Sequence, residues 1–477
     1  MKLVRLLPLP ALILALVSCK PLVPEVTSQD CAVSTVPQDF TRLYIGAPAR
    51  GGQQSGTSAS DPLDGTSADK FDTILRTIAE GQRPTWGTQK NIAPQNLIVC
   101  LDSGTFQTNG QSDWVIDLGH TQGSSRGFTV EKNWKIHGRG VGRTSLQLAG
   151  YLPQQYVDAN GMTFNGGRNV VIGTHSDESS GVEISDMTID ANHDQLTPAG
   201  GVPLNLEGIS LRSFEGNHWI HNVNVSGASG DAGFRNIDYE VFAVKIYGSS
   251  LPGQSSQSTG NLIEGVTVAK PGRPMTADSP PGGIMDGIVV NSVVAEIRNN
   301  DVEGYYIAYG GWTMNQVWFH DNISRNSAYG FNADSSSNNG IIVQSNQFIH
   351  PTRYGLVIGG FFPNQIFANW NISNNSIQMN ASGSSGIVLH GQVQNSFFSG
   401  NTIQSDGGHD LTAIWSYSAN SNVANLSNVF QDNHIDNSLQ IDFFQDPNFN
   451  TNCRFQNRDL QGKPIPVFPD NSGSACK

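Results

Sequence analysis

Charged residues are scarce in this sequence, and long ones almost vanish from its C-terminal half. Asp, Glu, Lys and Arg make up 14% of the 477 residues. No Lys lies between Lys270 and Lys463, and no Glu follows Glu303. Long surface helices are built mainly from Lys, Glu and Arg. This composition therefore argues against a mostly helical protein.

A basic surface is also missing. The chain has 27 Lys and Arg against 40 Asp and Glu, which gives a net charge of −13. Proteins that bind nucleic acid usually carry a basic patch or stripe. We therefore expect no nucleic-acid partner.

Cysteine is rare, and no two cysteines have the C-x-x-C spacing of a structural zinc site. Cys19 follows a basic start, a short apolar run and the residues Leu16, Val17 and Ser18. This segment resembles a bacterial lipobox. The resemblance predicts a lipoprotein signal peptide at 1–19, a lipid anchor at Cys19 and a place in the cell envelope, at the outer membrane. The alternative is an ordinary signal peptide in which the Cys is incidental.

Four cysteines remain after Cys19, and four cysteines in an exported chain allow three pairings. We predict a Cys453–Cys476 disulfide because both residues lie in an irregular C-terminal stretch. Cys31 would then pair with Cys100 and hold the N-terminal segment.

The most regular feature present is a six-residue pattern: an apolar residue, two others, usually Asn, one other and a second apolar residue. Five copies contain the Asn, at 297–302, 343–348, 372–377, 398–403 and 430–435. Three earlier copies keep the apolar ends without the Asn, at 184–189, 220–225 and 263–268. A weaker copy lies at 319–324.

This pattern predicts a bend. Residues five apart lie on opposite faces of a straight strand, and they share no stripe on a helix. Both apolar ends reach one core only if the chain turns between them, and Asn tolerates the left-handed backbone of such a turn. Stacked Asn amides can also hydrogen-bond along a ladder. Uneven spacing around a constant corner is typical of a β-solenoid. A β-sandwich or propeller with repeated turns is the alternative.

The chain divides into four parts. We expect the signal peptide at 1–19, a tether at 20–62, a solenoid at 63–445 and a tail at 446–477. An amphipathic helix at 70–80, with Ser67 or Asp69 as its N-cap, would cover the first coil. Such a cap is needed because the first coil otherwise exposes its core and unpaired strand edges.

Several segments resemble pectate-lyase-like right-handed parallel β-helices. They are Tyr44–Ile45, 56–59 and 70–75, followed by 98–106, which ends in Gly-Thr-Phe, and 136–144. The resemblance implies an all-β, right-handed parallel β-helix with a short N-terminal capping helix. That fold carries lyases, hydrolases, epimerases and non-catalytic binders. The residue motifs of polygalacturonases, mannuronan epimerases and the main pectate lyases are absent.

Charged residues concentrate at 183–245, about two coils of the predicted solenoid. A polysaccharide lyase needs a base, and cationic groups or Ca²⁺ must neutralise the charge that develops on the substrate. A hydrolase needs two carboxylates. The candidate catalytic residues are Asp190, His193, Asp194, Arg212, Glu240 and Lys245. The alternatives are an Asp/Asn turn at 190–194 and an exposed strand face at 240–245.

Aromatic residues follow at 305–319, and aromatic rings stack on the faces of sugars. The candidate substrate-binding residues are Tyr305, Tyr306, Tyr309 and Trp312. Packing in the core is an equally good explanation for at least half of the cluster. The sequence thus favours a surface-anchored protein that acts on polysaccharide, with lyase chemistry on a uronate-containing glycan ahead of hydrolysis. A non-catalytic glycan-binding or structural solenoid is the rival class.

Overall fold

A computed structural model gives the fold. The residues that it describes are 31, 39–46, 54–81, 94–112, 127–150, 155–157, 163–165, 168–174, 179–196, 205–230, 240–248, 258–269, 284–333, 340–359, 366–417, 425, 427–445, 452–466 and 468–471. The signal peptide, Cys19 and Cys476 lie outside these residues.

The secondary structure consists of forty short strands and one α-helix, with a 3₁₀ turn at His193–Gln195, within the described residues. The first part of the chain contains β1 (Thr41–Gly46), β2 (Leu63–Asp64), α1 (Ala68–Ala79), β3 (Leu97–Leu101), β4 (Gly104–Thr108), β5 (Gln111–Ser112), β6 (Lys135–His137), β7 (Thr144–Leu148), β8 (Gln155–Val157), β9 (Thr163–Asn165), β10 (Arg168–Gly173), β11 (Glu183–Asp190), β12 (Asn205–Ser213), β13 (Trp219–Ser226), β14 (Ser229–Gly230) and β15 (Glu240–Gly248). The middle contains β16 (Asn261–Glu264), β17 (Thr267–Val268), β18 (Ile284–Asn291), β19 (Ala295–Arg298), β20 (Asp301–Glu303), β21 (Ile307–Gly311), β22 (Val317–His320), β23 (Ile323–Arg325), β24 (Tyr329–Ala333), β25 (Ile342–Gln344), β26 (Gln347–Ile349) and β27 (Tyr354–Ile358). The last part contains β28 (Ile366–Ala368), β29 (Asn371–Ser373), β30 (Ser376–Met379), β31 (Ser385–His390), β32 (Gln392–Gln394), β33 (Phe397–Ser399), β34 (Thr402–Ser405), β35 (Thr412–Tyr417), β36 (Val429–Gln431), β37 (His434–Ile435), β38 (Gln440–Gln445), β39 (Cys453–Phe455) and β40 (Arg458–Asp459).

Most strands belong to three parallel stacks. Stack 1 runs β1, β3, β6, β11, β13, β16, β19, β22, β25, β29, β33, β36, β39. Stack 2 runs β4, β7, β11, β13, β17, β20, β23, β26, β30, β34, β37, β40, and shares the long strands β11 and β13 with stack 1. Stack 3 runs β10, β12, β15, β18, β21, β24, β27, β31, β35, β38. The chain visits the stacks in turn, so the protein is a right-handed parallel β-helix, which confirms the predicted fold class.

The repeated pattern forms the corner between stacks 1 and 2. Its two apolar ends both point into the core, as in the pair Ile372 and Ile377, each fully buried. The left-handed residue is the one before the pattern's Asn: Asn374 has φ 56°, while Asn375 is not left-handed. The expectation that the repeated Asn itself takes this conformation is wrong. Its side chain has a different role.

The Asn side chains of the repeated pattern form a buried ladder of hydrogen-bonded amides. In each consecutive pair the Nδ2 of one Asn donates to the Oδ1 of the next at 2.9–3.0 Å. Each Oδ1 also accepts a backbone N–H, and each Nδ2 also donates to a backbone carbonyl. The predicted ladder is therefore present, and it continues past the last copy read from the sequence. Its members are Asn300, Asn322, Asn346, Asn375, Asn401, Asn433 and Asn457.

The first coil is closed as expected. Helix α1 begins after Ser67, whose hydroxyl accepts a hydrogen bond from Lys70 N. Phe71 packs its ring 5.6 Å from Phe106 and 5.5 Å from Phe128. The Cys31–Cys100 disulfide is also confirmed, with a Cα–Cα distance of 5.7 Å. Cys453 is disulfide-bonded as well, and its pairing with Cys476 stays a prediction.

Both predicted limits of the solenoid need correction. Strand β1 pairs with β3 along five residues, so the first coil starts inside the predicted tether 20–62. Strands β39 and β40 add a further coil inside the predicted tail 446–477. Beyond them the chain turns back, and Asn471 exchanges hydrogen bonds with Arg454 of β39. The ring of Phe468 packs 5.7 Å from Phe430, so this segment covers the C-terminal end of the core.

Candidate functional site

The first group of candidate residues lies at the C-terminal end of strand β11 and just after it: Asp190, His193 and Asp194. The Asp190 carboxylate accepts hydrogen bonds from Asn192 N at 2.9 Å and from Gln147 Nε2 at 2.8 Å. His193 is buried beside Asp194, whose side chain is 71% exposed. These bonds are those of an Asp/Asn turn.

The second group lies on stack 3. Val244 and Ile246 of β15 point into the core, so Lys245 and Tyr247 point outward. Arg212 of β12 pairs with Tyr247, which places its side chain on the same outer face. Glu240 begins β15, and its side chain lies outside the described atoms. The structure therefore brings Arg212 and Lys245 together and separates them from the turn at 190–194.

The two cations meet at one aromatic ring. The guanidinium carbon of Arg212 lies 5.2 Å from the centre of the Tyr247 ring, and Lys245 Nζ lies 5.5 Å from it. Lys245 Nζ is also 4.6 Å from the centre of the Phe242 ring. Lys245 is only 2% exposed, whereas Arg212 and Tyr247 are partly exposed. A ligand that reaches this face therefore meets the Arg212 side first.

Two acids on the same face were not singled out from the sequence. Asp286 pairs directly with Phe242, and Glu207 occupies the corresponding position on the other side, two residues before Ile209. Both acids are buried, with exposures of 0% for Glu207 and 1% for Asp286. Since they are two strands apart, their backbones are separated by about 10 Å. Phe242, whose ring lies under the Lys245 ammonium, occupies the strand position between the two acids.

A second repeat, which we did not read from the sequence, runs through the strands of stack 3 and accounts for the positions of the two acids. Each stack 3 strand from β12 to β35 has a Gly or Ala that faces the core closely. A Cβ at Gly355 would lie 2.6 Å from Ile377 Cγ2 and 2.7 Å from the Gly386 carbonyl oxygen. The residue before the small one points outward, which gives the row Glu207, Phe242, Asp286, Ile307, Tyr329, Tyr354, Ser385 and Thr412. In the sequence this repeat is a Gly or Ala followed by alternating apolar residues. The residue directly before the Gly or Ala is the outward one, so the repeat could have located both acids.

The predicted aromatic residues divide between the core and this face. Tyr305 and Tyr309 are in the interior, where their hydroxyls donate to the carbonyls of Ala228 and Ile323. Burial raises the pKa of both phenols. Neither ring presents a face to a ligand, so we do not retain these two as substrate-binding residues. Tyr306 and Trp312 are partly exposed.

Tyr306 belongs to an aromatic cluster on the outer face of stack 3. Its ring centre lies 4.9 Å from that of Tyr329, and Tyr329 lies 5.2 Å from Tyr354. Trp415 continues the cluster, 6.1 Å from Tyr354. The Arg353 guanidinium carbon sits 5.8 Å from the centre of the Tyr306 ring. Trp312 packs 5.9 Å from Phe242, at the charged end of the same face.

The described residues contain no group of three or more His, Cys, Asp or Glu side chains placed to hold a metal ion. Nor does any helix in that part of the chain have the length and apolar character to cross a membrane.

No protein-family model matches the chain. A search of curated proteins likewise gives no match. Among solved structures, a mannuronan C-5 epimerase A-module from Azotobacter vinelandii has 12% identity and a TM-score of 0.35, over 76% of this chain and 90% of the other. The adhesin PfbA of Streptococcus pneumoniae has 12% identity and a TM-score of 0.42, over 77% and 96%. A lacto-N-biosidase from Eubacterium ramulus has 11% identity and a TM-score of 0.43, over 79% and 67%. These similarities are too low to assign an activity.

Proposed function

We propose that the outer face of stack 3 is the active site of a polysaccharide lyase that acts on a uronate-containing glycan. The observation that carries this proposal is the meeting of Lys245 and Arg212 at the Tyr247 ring. A lyase must remove the proton next to a carboxylate and stabilise the negative charge that results. One base and one fixed cation are the minimum set, and these two side chains supply both.

In the proposed reaction Lys245, in its neutral amine form, takes the proton from C5 of the uronate and becomes an ammonium. The electrons of that C–H bond form the C4–C5 double bond, and the bond from C4 to the glycosidic oxygen breaks. Arg212, with its planar set of donors, pairs with the substrate carboxylate and neutralises the charge that develops on it. The Tyr247 hydroxyl, in the same cluster, returns a proton to the departing oxygen.

Substrate binding would extend along the same face. The row that contains Tyr329 and Tyr354 crosses successive strands, and the cluster with Tyr306 and Arg353 continues it. Aromatic rings bind the apolar faces of sugars, and Arg353 adds a cation for a carboxylate. A glycan lying along the solenoid axis would thus reach from the charged end into the aromatic cluster.

Product analysis tests this proposal. The protein is incubated with polygalacturonate, alginate and glycosaminoglycans, and unsaturated uronic ends are followed by ultraviolet absorbance beside total reducing ends. We expect unsaturated ends, and a loss of at least about 100-fold in kcat/KM for Lys245→Met and Arg212→Gln, since general-base catalysis contributes at least that much. Lys132→Met and Arg325→Gln, cations outside stack 3, serve as matched controls. Binding without new ends of either kind on any substrate contradicts the enzyme proposal.

A glycoside hydrolase is the second candidate, favoured by Glu207 and Asp286. Inverting hydrolases place two carboxylates roughly 6.5–9.5 Å apart on either side of the bond, and side chains that lean together from two strands apart can reach that range. Reducing ends without unsaturation, abolished by Glu207→Gln and by Asp286→Asn, would establish this chemistry. Activity that survives both substitutions would exclude it.

We also propose that the protein is held at the bacterial cell surface by a lipid on Cys19. The support is the lipobox-like sequence 16–19. Cells fed labelled palmitate should incorporate the label into the wild-type chain and not into Cys19→Ala. Equal labelling of both would contradict the anchor, whatever the activity of stack 3.

A further inference from the structure

A second set of aromatic residues lies on the outer face of stack 1. One outward row crosses its strands in direct register and contains Trp219, Leu262, Glu296, Trp318, Ile342, Asn371, Phe397 and Val429. We call the aromatic members Trp219, Trp318 and Phe397 the tryptophan row. They occur on every third strand, so successive rings are about 14 Å apart.

Each indole of the tryptophan row is held in a defined orientation. The Trp219 ring stacks on His221 at 3.9 Å, and the Trp318 ring stacks on His320 at 3.9 Å. The histidines are fixed in turn: His221 Nε2 lies 3.1 Å from Glu183 Oε1, and His320 Nε2 lies 3.0 Å from a Glu296 carboxylate oxygen. In each pair the Trp and His rings are stacked one behind the other along their strand. The indole planes therefore lie across the strand, roughly parallel to the solenoid axis. A flat ligand can therefore lie along that axis against both rings.

Polar groups are fixed between the rings. Trp219 Nε1 donates to Glu264 Oε1 at 3.1 Å. Arg298 donates to Glu264 through Nε at 2.8 Å and to Glu296 through Nη1 at 2.8 Å. Glu264 and Arg298 are partly exposed, so they offer acceptors and donors beside the indoles. Rings that are rigid and flanked by charged hydrogen-bonding groups are typical of sugar-binding surfaces rather than of apolar protein contacts.

The negative charge of this surface favours neutral glycans over polyanionic ones. Burial opposes the ionisation of Glu296, but the hydrogen bond from His320 and the charge of Arg298 outweigh it and lower the pKa of the carboxyl. Glu183 has a lowered pKa as well, since its contacts with His221, His137 and Lys135 outweigh burial. The carboxylates in this network outnumber the cations: Glu183, Glu264 and Glu296 against Lys135 and Arg298. A polyanionic chain would be repelled, and a neutral chain would not.

We propose that the tryptophan row is a second glycan-binding surface, which holds an extended neutral polysaccharide along the solenoid axis. It is separate from stack 3 and does not depend on the chemistry there. In a mixed polysaccharide matrix it would keep the protein beside one polymer while the other face meets a different one.

Binding alone tests the proposal. The wild-type protein is run in affinity gels that contain galactomannan, xyloglucan or mixed-linkage β-glucan, and in gels that contain polygalacturonate or alginate. We expect retardation by at least one neutral polymer. Each of Trp219→Ala and Trp318→Ala should weaken its affinity about threefold to tenfold, as expected for the loss of one aromatic contact. Leu460→Ala, which removes an exposed apolar side chain at the C-terminal end, is the control and should change nothing.

The double variant should bind neutral polymers about tenfold to a hundredfold more weakly than the wild type does. Phe397→Ala, at a ring that is already 36% exposed, gives a further variant that does not disturb the charged network. The proposal is overturned if the wild-type protein binds none of the neutral polymers, or if the folded double variant binds as the wild type does. Because no product is measured, failure of the lyase proposal would leave this result unaffected.

Discussion

At the scale of the residue, two buried imidazoles make the fold sensitive to acid. His218 is fully buried, and burial lowers its pKa to about 3. His137 is buried next to Glu183, and burial lowers its pKa to about 4 despite the nearby carboxylate. Both side chains are neutral in the folded protein at a pH where the unfolded chain binds a proton. Their contribution to stability is therefore present above the ordinary pKa of 6.5 and is lost as the pH falls through the folded values.

His218→Gln should reduce this acid sensitivity. The wild-type free energy of unfolding should fall between pH 6.5 and pH 4, with each such histidine contributing about 1.4 kcal/mol per pH unit. Glutamine keeps an acceptor for the Val182 N–H that His218 Nδ1 now accepts, and it does not titrate. Urea unfolding at several pH values measures the slope. The exposed His434→Gln is the control, and equal slopes for wild type and His218→Gln would contradict the prediction.

At the scale of the element, the corner between stacks 1 and 2 is held by a side chain rather than by backbone preference alone. The left-handed residue lets the chain turn, and the Asn that follows joins each coil to the next. In the three early copies the position of the Asn is occupied by Met187, Val223 or Val266, and all three side chains are buried. The ladder therefore starts where Asn300 Oδ1 accepts the N–H of Val266. Apolar packing serves the corner before that point, and amide pairing serves it afterwards.

Asn375→Ala should be strongly destabilising. Its Oδ1 accepts from Asn346 N and Nδ2, and its Nδ2 donates to Val343 O and to Asn401 Oδ1. Unmade hydrogen bonds of buried groups cost about 1–3 kcal/mol each, so we expect a loss of roughly 3–6 kcal/mol. Thermal unfolding measures the change. Asn371→Ala, on the outer face of β29, should stay within about 0.5 kcal/mol, and a similar loss in both would show that the ladder has no special role.

The sequence predicts these elements unevenly, for physical reasons. The corner between stacks 1 and 2 is short and constant, so its apolar ends and its Asn are visible as a repeat. Stack 3 lies between loops of different length, which obscure its own Gly or Ala repeat, and Glu207 and Asp286 were missed with it. Tyr305 and Tyr306 are adjacent in sequence but lie on opposite faces: the Tyr305 hydroxyl bonds to Ala228 in the interior, whereas the Tyr306 ring packs on Tyr329 outside. Arg212 and Lys245 were found because charged residues are rare elsewhere.

At the scale of the whole molecule, a solenoid is a series of coils in which each contacts mainly its neighbours. Its stability is therefore close to a sum of local contributions, and its two ends can open separately. The N-terminal end has its own fastening, the Cys31–Cys100 disulfide, which links residues 69 positions apart. Tyr44 adds a hydrogen bond from its hydroxyl to the Cys31 carbonyl.

Cys31→Ser should loosen this end and no other. Closing a loop of this length stabilises a folded chain by about 4 kcal/mol in the chain-entropy model. Because the coils are coupled only to their neighbours, we expect faster amide hydrogen exchange in β1 and β3 and unchanged exchange in β29 to β37. Mass spectrometry of deuterated peptides resolves the two regions. Faster exchange along the whole chain would mean that the solenoid unfolds as one cooperative unit.

The returning segment at the C-terminal end has a consequence for how copies of this protein meet. Asn471 and Phe468 cover the last coil, where β39 and β40 would otherwise offer unused backbone donors and acceptors. Those edges have the same spacing and direction as the strands of any other copy. Without residues 464–477, this edge would be open to pairing with an exposed strand of another copy. The C-terminal fold-back and helix α1 at the other end therefore each remove one open edge from a repeating structure.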